Sequence, residues 1–100
     1  MSSTELNPNQ ISFVSPSDLI EQFVSSLKRV RSAKTLAMHQ KRLQYLAQNF
    51  DPFSGTMNNE CQQVVTFYGL DGAVQDPFLF TNVTLRMLDI LEEKQRALLV

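Results

Sequence analysis

A heptad-spaced apolar seam within residues 32–50 constrains this chain more than any other feature of its sequence. The seam residues follow one another at alternating intervals of three and four: Leu36, His39, Leu43, Leu46 and Phe50. This spacing places them on one side of an α-helix, because three or four residues complete about one turn. Ser32 offers an N-cap, and Asp51-Pro52 ends the pattern because proline cannot continue the helical hydrogen-bond ladder. The sequence therefore predicts a helix with one packed side, which other elements must cover.

A detailed helix-start pattern precedes the seam. It consists of an N-cap, a first helical residue, an acid at the positive helix end and two residues spaced as a hydrophobic staple: Ser15, Pro16, Asp18, Val14 and Leu19. The apolar residues up to Val30 then fall within an arc of roughly 140°. We predict a first helix over residues 16–31. Its connection to the second helix is so short that the two could also form one kinked helix.

A third helical pattern follows the Asp-Pro break. Its apolar side chains share one face at helical spacing: Met57, Cys61, Val64, Val65 and Tyr68. Thr56 or Asn58 offers its N-cap. Strand-forming residues are frequent in its second half, however, and Asp71-Gly72 is a typical hairpin turn pair. We predict a helix here, and a short hairpin around residues 62–75 is the alternative.

The stretch of residues 70–80 follows neither the helical nor the strand period. It contains Asp76-Pro77, and it therefore predicts a long loop. The apolar residues 78–80 in this loop are expected to pack back on the core. Their alternative role is an exposed anchor for a protein partner.

A last helix is predicted from a cap at Thr81 or Asn82 towards the C-terminus. Its apolar residues spread over an arc of roughly 220°, which is wider than one packed face needs. The surplus is either wrapped by the preceding helices or used in a dimer or a complex with another subunit. The candidate interface residues on this helix are Met87, Ile90, Leu91 and Leu98.

The second helix carries an additional, thinner stripe opposite its seam. Met38 and Tyr45 lie seven residues apart on that side. They either contact another element of the same domain or belong to a partner surface, so both join the candidate interface.

The length and composition indicate one globular domain. A chain of 100 residues with 43% hydrophobic and 19% charged residues can bury one core. We predict an all-α bundle of about four helices over residues 13–100, preceded by a flexible tail at residues 1–12; the alternative is an α+β fold with the short hairpin. A lone cysteine, no signal-peptide pattern and no long apolar run predict a soluble intracellular protein with no membrane association.

The side chains that perform most chemistry are scarce. The single histidine, His39, belongs to the seam, and the single cysteine, Cys61, lies on an apolar face, so both are interpreted as core residues. The three glycines are too scattered for a phosphate-binding loop. The sequence therefore predicts no catalytic site, no metal, no cofactor and no small-molecule substrate.

Positive charge is concentrated in one segment. Between Gln22 and Phe50 there is no acidic residue but six basic ones: Lys28, Arg29, Arg31, Lys34, Lys41 and Arg42. This segment of +6 lies in a remainder of −7, although the net charge is only −1. It is either a solvated face balanced by nearby acids or an anion-binding face that contacts nucleic acid.

One local resemblance concerns the same segment. Residues 20–50, with Ser32, Lys34 and Thr35 in the turn, resemble the opening helix pair of the SAM-like core-binding domain of tyrosine recombinases. The resemblance covers less than a third of the chain. It implies that the chain binds DNA without catalysing a reaction, because the catalytic residues of that family lie in a separate domain.

The function predicted from these patterns is that of a small non-enzymatic interaction or adaptor subunit. It would self-associate or dock into a larger complex through its apolar helix faces. The alternative is a helical nucleic-acid-binding module that uses the basic segment 28–42.

Overall fold

The computed structural model describes residues 15–99, and in this part of the chain the backbone forms helices and turns without a strand. The elements in chain order are α1 (Pro16–Leu27), α2 (Ala33–Asn49), α3 (Asn59–Phe67), a 3-10 turn (Ala73–Gln75) and α4 (Pro77–Leu99). The predicted all-α fold of about four helices is therefore confirmed. The predicted tail of residues 1–12, and Val14 of the staple, lie outside the described residues.

The first two helices are separate. The Ser15 hydroxyl accepts a hydrogen bond from the backbone N–H of Asp18 at 3.4 Å and caps α1, as the sequence predicts. α1 ends at Leu27, one turn earlier than expected. Ser32 then adopts extended backbone angles (φ −109°, ψ 130°), and its hydroxyl caps α2. The single kinked helix is therefore the wrong alternative.

The third pattern is a helix, and the hairpin alternative is wrong. The Asn58 side chain accepts from the backbone N–H of Cys61 at 2.7 Å, which satisfies a donor at the start of α3. Cys61, Val64 and Val65 are buried on one face, so tertiary packing overrides the strand preference of the β-branched residues. Gly69 has a φ of +70°, a left-handed conformation that glycine adopts readily, and it ends the helical path.

The last helix begins earlier than the sequence suggested. Asp76 adopts an extended conformation, and its Oδ1 accepts from the backbone N–H groups of Phe78 and Leu79 at 3.2 Å each. Pro77 occupies the first helical position, where its missing N–H costs nothing. The loop prediction for this part and the predicted start at residues 81–82 are both wrong, because the Asp-Pro pair starts a helix here.

The core lies where the helices meet. α2 and α4 run antiparallel: the Phe50 and Phe80 rings lie 5.2 Å apart at one end, and Gln95 Nε2 donates to Gln40 Oε1 at 2.9 Å towards the other. α1 packs on α4, and α3 packs on α2. The seam leucines of α2 are fully buried: Leu36, Leu43 and Leu46. Surfaces that could contact a partner must therefore be formed by residues outside this shared core.

Candidate interaction surfaces

The structure divides the interface residues predicted on α4. Met87 and Leu91 are 2% and 0% exposed, so they belong to the core of the chain itself. Both side chains are covered within the chain, so the exposed surface of α4 does not include them. Ile90 is half-buried against the same core, whereas Leu98 is exposed.

Met38 and Tyr45 on α2 have different surroundings. The Tyr45 hydroxyl accepts from Asn58 Nδ2 at 3.3 Å, and its ring packs at the edge of the core. Its neighbours are therefore in the same chain. Met38 is 37% exposed on the outer side of α2, where Lys34 and Lys41 are also exposed. We call Lys34, Met38 and Lys41 the lysine face.

An exposed aromatic pair lies at the start of α4. The rings of Phe53 and Phe78 pack edge to face with centroids 5.4 Å apart, although they remain 65% and 71% exposed. Leu85, seven residues after Phe78 on α4, is also exposed and on the same side of the helix. We call Phe53, Phe78 and Leu85 the aromatic face.

The outcome for residues 78–80 is mixed. Phe80 is buried and Leu79 packs against the core, as predicted, but Phe78 does not pack back on the core. The early start of α4 explains this difference, because consecutive helical residues point in directions about 100° apart. Phe53 was not identified from the sequence, since a single aromatic residue in a Pro- and Gly-containing loop carries no periodic signal.

Acidic groups surround the aromatic face. Asp51 Oδ1 accepts from the backbone N–H of Phe53 at 3.0 Å, and Asp76 Oδ1 accepts from that of Phe78. Both carboxylates are thus fixed beside the aromatic pair. Further along the same side of α4 lie Asp89 and Glu92, four and seven residues after Leu85, and Arg96 pairs with Glu92 one turn later. The aromatic face is therefore apolar at its centre, and the charge around it is negative except at Arg96.

The basic segment is spread over two helices and their connection. Arg31 Nη1 donates to the Lys28 carbonyl oxygen at 2.7 Å, which satisfies an acceptor at the end of α1. Among residues 15–99 the one ion pair joins Arg96 to Glu92, at 3.9 Å. None of the six basic residues of the segment is thus within 4.0 Å of a described carboxylate.

Arg42 separates from the lysines and contacts α3. Its guanidinium carbon lies 4.7 Å from the centre of the Phe67 ring, which is within cation–π distance. Phe67 is nevertheless 57% exposed. A cleft of about 360 Å³ opens beside this pair, and Glu60 and Gln63 contribute to its wall. The cleft combines a cation, a carboxylate and an aromatic ring.

His39 lies behind this cleft as a packing residue. Its Nδ1 is 2.6 Å from the Tyr68 hydroxyl oxygen, and the Phe23 ring packs against both side chains. Burial, and secondarily the charge of Arg42, lower the pKa of His39. Burial raises the pKa of Tyr68 to about 12, against the opposing effect of Arg42. Neutral side chains are therefore favoured in this cluster at neutral pH.

Cys61 is fully buried on α3. Burial, and secondarily the charge of Glu60, raise the pKa of its thiol, and a hydrogen bond from the Asn58 backbone partly offsets this. A buried thiol with a raised pKa is a poor nucleophile. Within residues 15–99, no three His, Cys, Asp or Glu side chains come together as a metal-binding set, and no helix is long and apolar enough to cross a membrane.

Comparisons with protein-family models, with characterised proteins and with solved structures found no match to this chain. The resemblance of residues 20–50 to a recombinase helix pair therefore stays a prediction.

Proposed function

We propose that this chain is a small non-enzymatic interaction subunit that binds protein through its aromatic face. The observation that carries the proposal is the exposure of two adjacent phenylalanine rings, Phe53 and Phe78, which contact each other rather than the core. Covering a phenylalanine side chain is favourable by about 2 kcal/mol, so the pair can supply the centre of an interface. Aromatic residues surrounded by polar groups are typical of such centres.

The local geometry also favours binding over accidental exposure. The backbone at each ring donates a hydrogen bond to a carboxylate, Asp51 or Asp76, and the two rings pack against each other. Rigid aromatic side chains lose less conformational entropy on association than flexible ones. Binding of a partner to the aromatic face therefore costs less conformational entropy than binding to a surface of flexible side chains.

The test compares two sets of exposed aromatic residues. The double variant Phe53→Ser/Phe78→Ser should lose association, measured by sedimentation equilibrium for self-association and by quantitative affinity capture for a different partner. Phe67→Ser is the matched control, because Phe67 is a similarly exposed aromatic residue on α3. The proposal is refuted if the double variant and the control associate equally, or if the wild type remains a monomer up to ~0.1 mM without a Phe53- or Phe78-dependent partner.

A second candidate function is nucleic-acid binding at the Arg42–Phe67 pair. The observation that favours it is an exposed ring beside a basic segment whose charges have no described carboxylate within 4.0 Å. Bases stack on exposed aromatic rings, and lysine and arginine neutralise phosphates. Glu60 at the cleft and the overall charge of −1 oppose it.

Fluorescence anisotropy with labelled single-stranded DNA and RNA would test this second function. Binding should weaken as salt rises, and it should weaken further in Arg42→Glu and Phe67→Ser. Phe78→Ser serves as the control here and should bind as the wild type does. Affinity that is insensitive to salt, or unchanged in both test variants, would exclude it.

A further inference from the structure

We infer that the partner of the aromatic face is a second copy of this chain, whose lysine face covers it. This inference rests on the proposed function and adds the identity of the partner. The aromatic face is flanked by the carboxylates of Asp51 and Asp76 at one end and by those of Asp89 and Glu92 at the other, where Glu92 pairs with Arg96 and Asp89 has no described basic partner within 4.0 Å. A partner must therefore bring positive charge together with apolar surface.

The outer side of α2 offers this combination. Met38 is 37% exposed between Lys34 and Lys41, which are also exposed. Neither lysine has a described carboxylate within 4.0 Å, so their charges are free to meet those of another molecule. Methionine is a flexible apolar side chain that adapts to irregular surfaces, which suits contact with a Phe-Phe-Leu surface.

The spacing of one charged pair also agrees. Lys34 and Lys41 lie four and three residues from Met38 on α2, and Asp89 lies four residues from Leu85 on α4. Three or four residues span about 5–6 Å of helix, so one lysine is level with Asp89 when Met38 covers Leu85.

The match holds for either relative direction of the two helices. If Met38 covers Leu85, one lysine lies near Asp89, four residues further along α4. The other lysine points towards the start of α4, where the Phe78 ring can accept a cation. Parallel and antiparallel docking differ only in which lysine takes which position.

The contact joins unlike faces, and this leaves two possible assemblies. Two copies related by a two-fold axis would form the contact twice, whereas without such closure the copies would form a chain. In either arrangement each molecule uses both its aromatic face and its lysine face. Reversing the charge of one face should therefore disrupt association, and reversing the other face in a different molecule should restore it.

The experiment uses sedimentation equilibrium of the full chain and two charge-reversal variants. The variants are Lys34→Glu/Lys41→Glu and Asp89→Lys/Glu92→Lys. Each alone should self-associate at least about tenfold more weakly than the wild type, because like charges then oppose each other. Their equimolar mixture should regain association. Raising the salt concentration from about 0.05 M to about 0.5 M should weaken the wild-type contact.

Two controls keep the result specific. Lys28→Glu/Arg29→Glu changes the net charge as much as the α2 variant does, but its residues lie at the end of α1, so it should associate like the wild type. Met38→Ser should weaken association without changing the charge. Circular dichroism of every variant should show the helicity of the wild type, since all of these side chains are exposed.

The outcomes separate this inference from the proposed function. Self-association that the α2 variant leaves unchanged, or a mixture that fails to recover, overturns the inference. A monomeric wild type that still captures a different protein through Phe53 and Phe78 also overturns it, while the proposed function stands. Absence of any association that depends on these rings overturns both.

Discussion

Replacing Asp76 with alanine tests the start of α4. The carboxylate accepts from the backbone N–H groups of Phe78 and Leu79 at 3.2 Å, and in Asp76→Ala both donors lose this partner. Loss of an N-cap costs about 0.5–2 kcal/mol of stability. The interaction of a negative charge with the helix N-terminus accounts for about 0.3–1 kcal/mol of such a cost. We therefore expect the free energy of unfolding to fall by about 1–2 kcal/mol. For a domain of this size, that corresponds to a Tm lower by about 5–10 °C.

Urea unfolding followed by circular dichroism would measure this change, with two matched variants. Asp76→Asn keeps the accepting oxygen and loses the charge, so it should lose only about 0.3–1 kcal/mol. Asn82→Ala should be neutral or stabilising by up to about 0.5 kcal/mol, because residue 82 is inside α4 and alanine has the higher helix propensity. If Asp76→Ala were neutral and Asn82→Ala cost about 1 kcal/mol, α4 would begin at residue 82 and the structural argument would fail.

The remaining predictions concern the core and its titratable groups. The pKa of His39 is lowered in the folded chain, so the unfolded chain binds the proton more readily. As pH falls through about 6.5, the free energy of unfolding should therefore decrease more for the wild type than for His39→Gln. Equal pH slopes of the two proteins in urea titrations would contradict this. Cys61 should react with a thiol reagent at least about 100-fold more slowly in the native protein than in urea, and equally fast labelling would show that it is accessible. Leu91→Ala should cost about 2–5 kcal/mol but Leu98→Ala less than about 1 kcal/mol, and similar costs in urea unfolding would contradict the assignment of only Leu91 to the core.

The parts of the fold that could be predicted from the sequence are those with both a period and a cap. Ser15 and Ser32 cap α1 and α2, and the seam leucines between Leu36 and Leu46 are buried as their spacing required. In these segments the local preference and the tertiary packing agree. The α3 segment had two interpretations, because its β-branched residues favour a strand while its face spacing favours a helix. Tertiary contacts decided between them, and these do not appear in a local pattern.

The start of α4 carried a signal that was misinterpreted. The sequence analysis predicts a helix start at Ser15-Pro16 but a loop at Asp76-Pro77, although both pairs place an N-cap side chain before a proline at N1. The missing helical period after Pro77 caused the error. Phe78 breaks the period because it faces outward, so the exposed ring that suggests an interaction surface also concealed the start of its helix.

The exposed apolar residues of α4 differ from those that its apolar arc predicts. The wide apolar arc indicates more than one covered side, and α1, α2 and the 3-10 turn all pack on α4, where Met87 and Leu91 are buried. An arc counts apolar residues around a helix, but it contains no information about which neighbours reach each side. Phe78 and Leu85 lie at the part of the arc that no described element covers, and Phe53 joins them from a different segment of the chain. A surface made from two segments requires the fold, and for this reason the aromatic face could be recognised only after the helices had been placed.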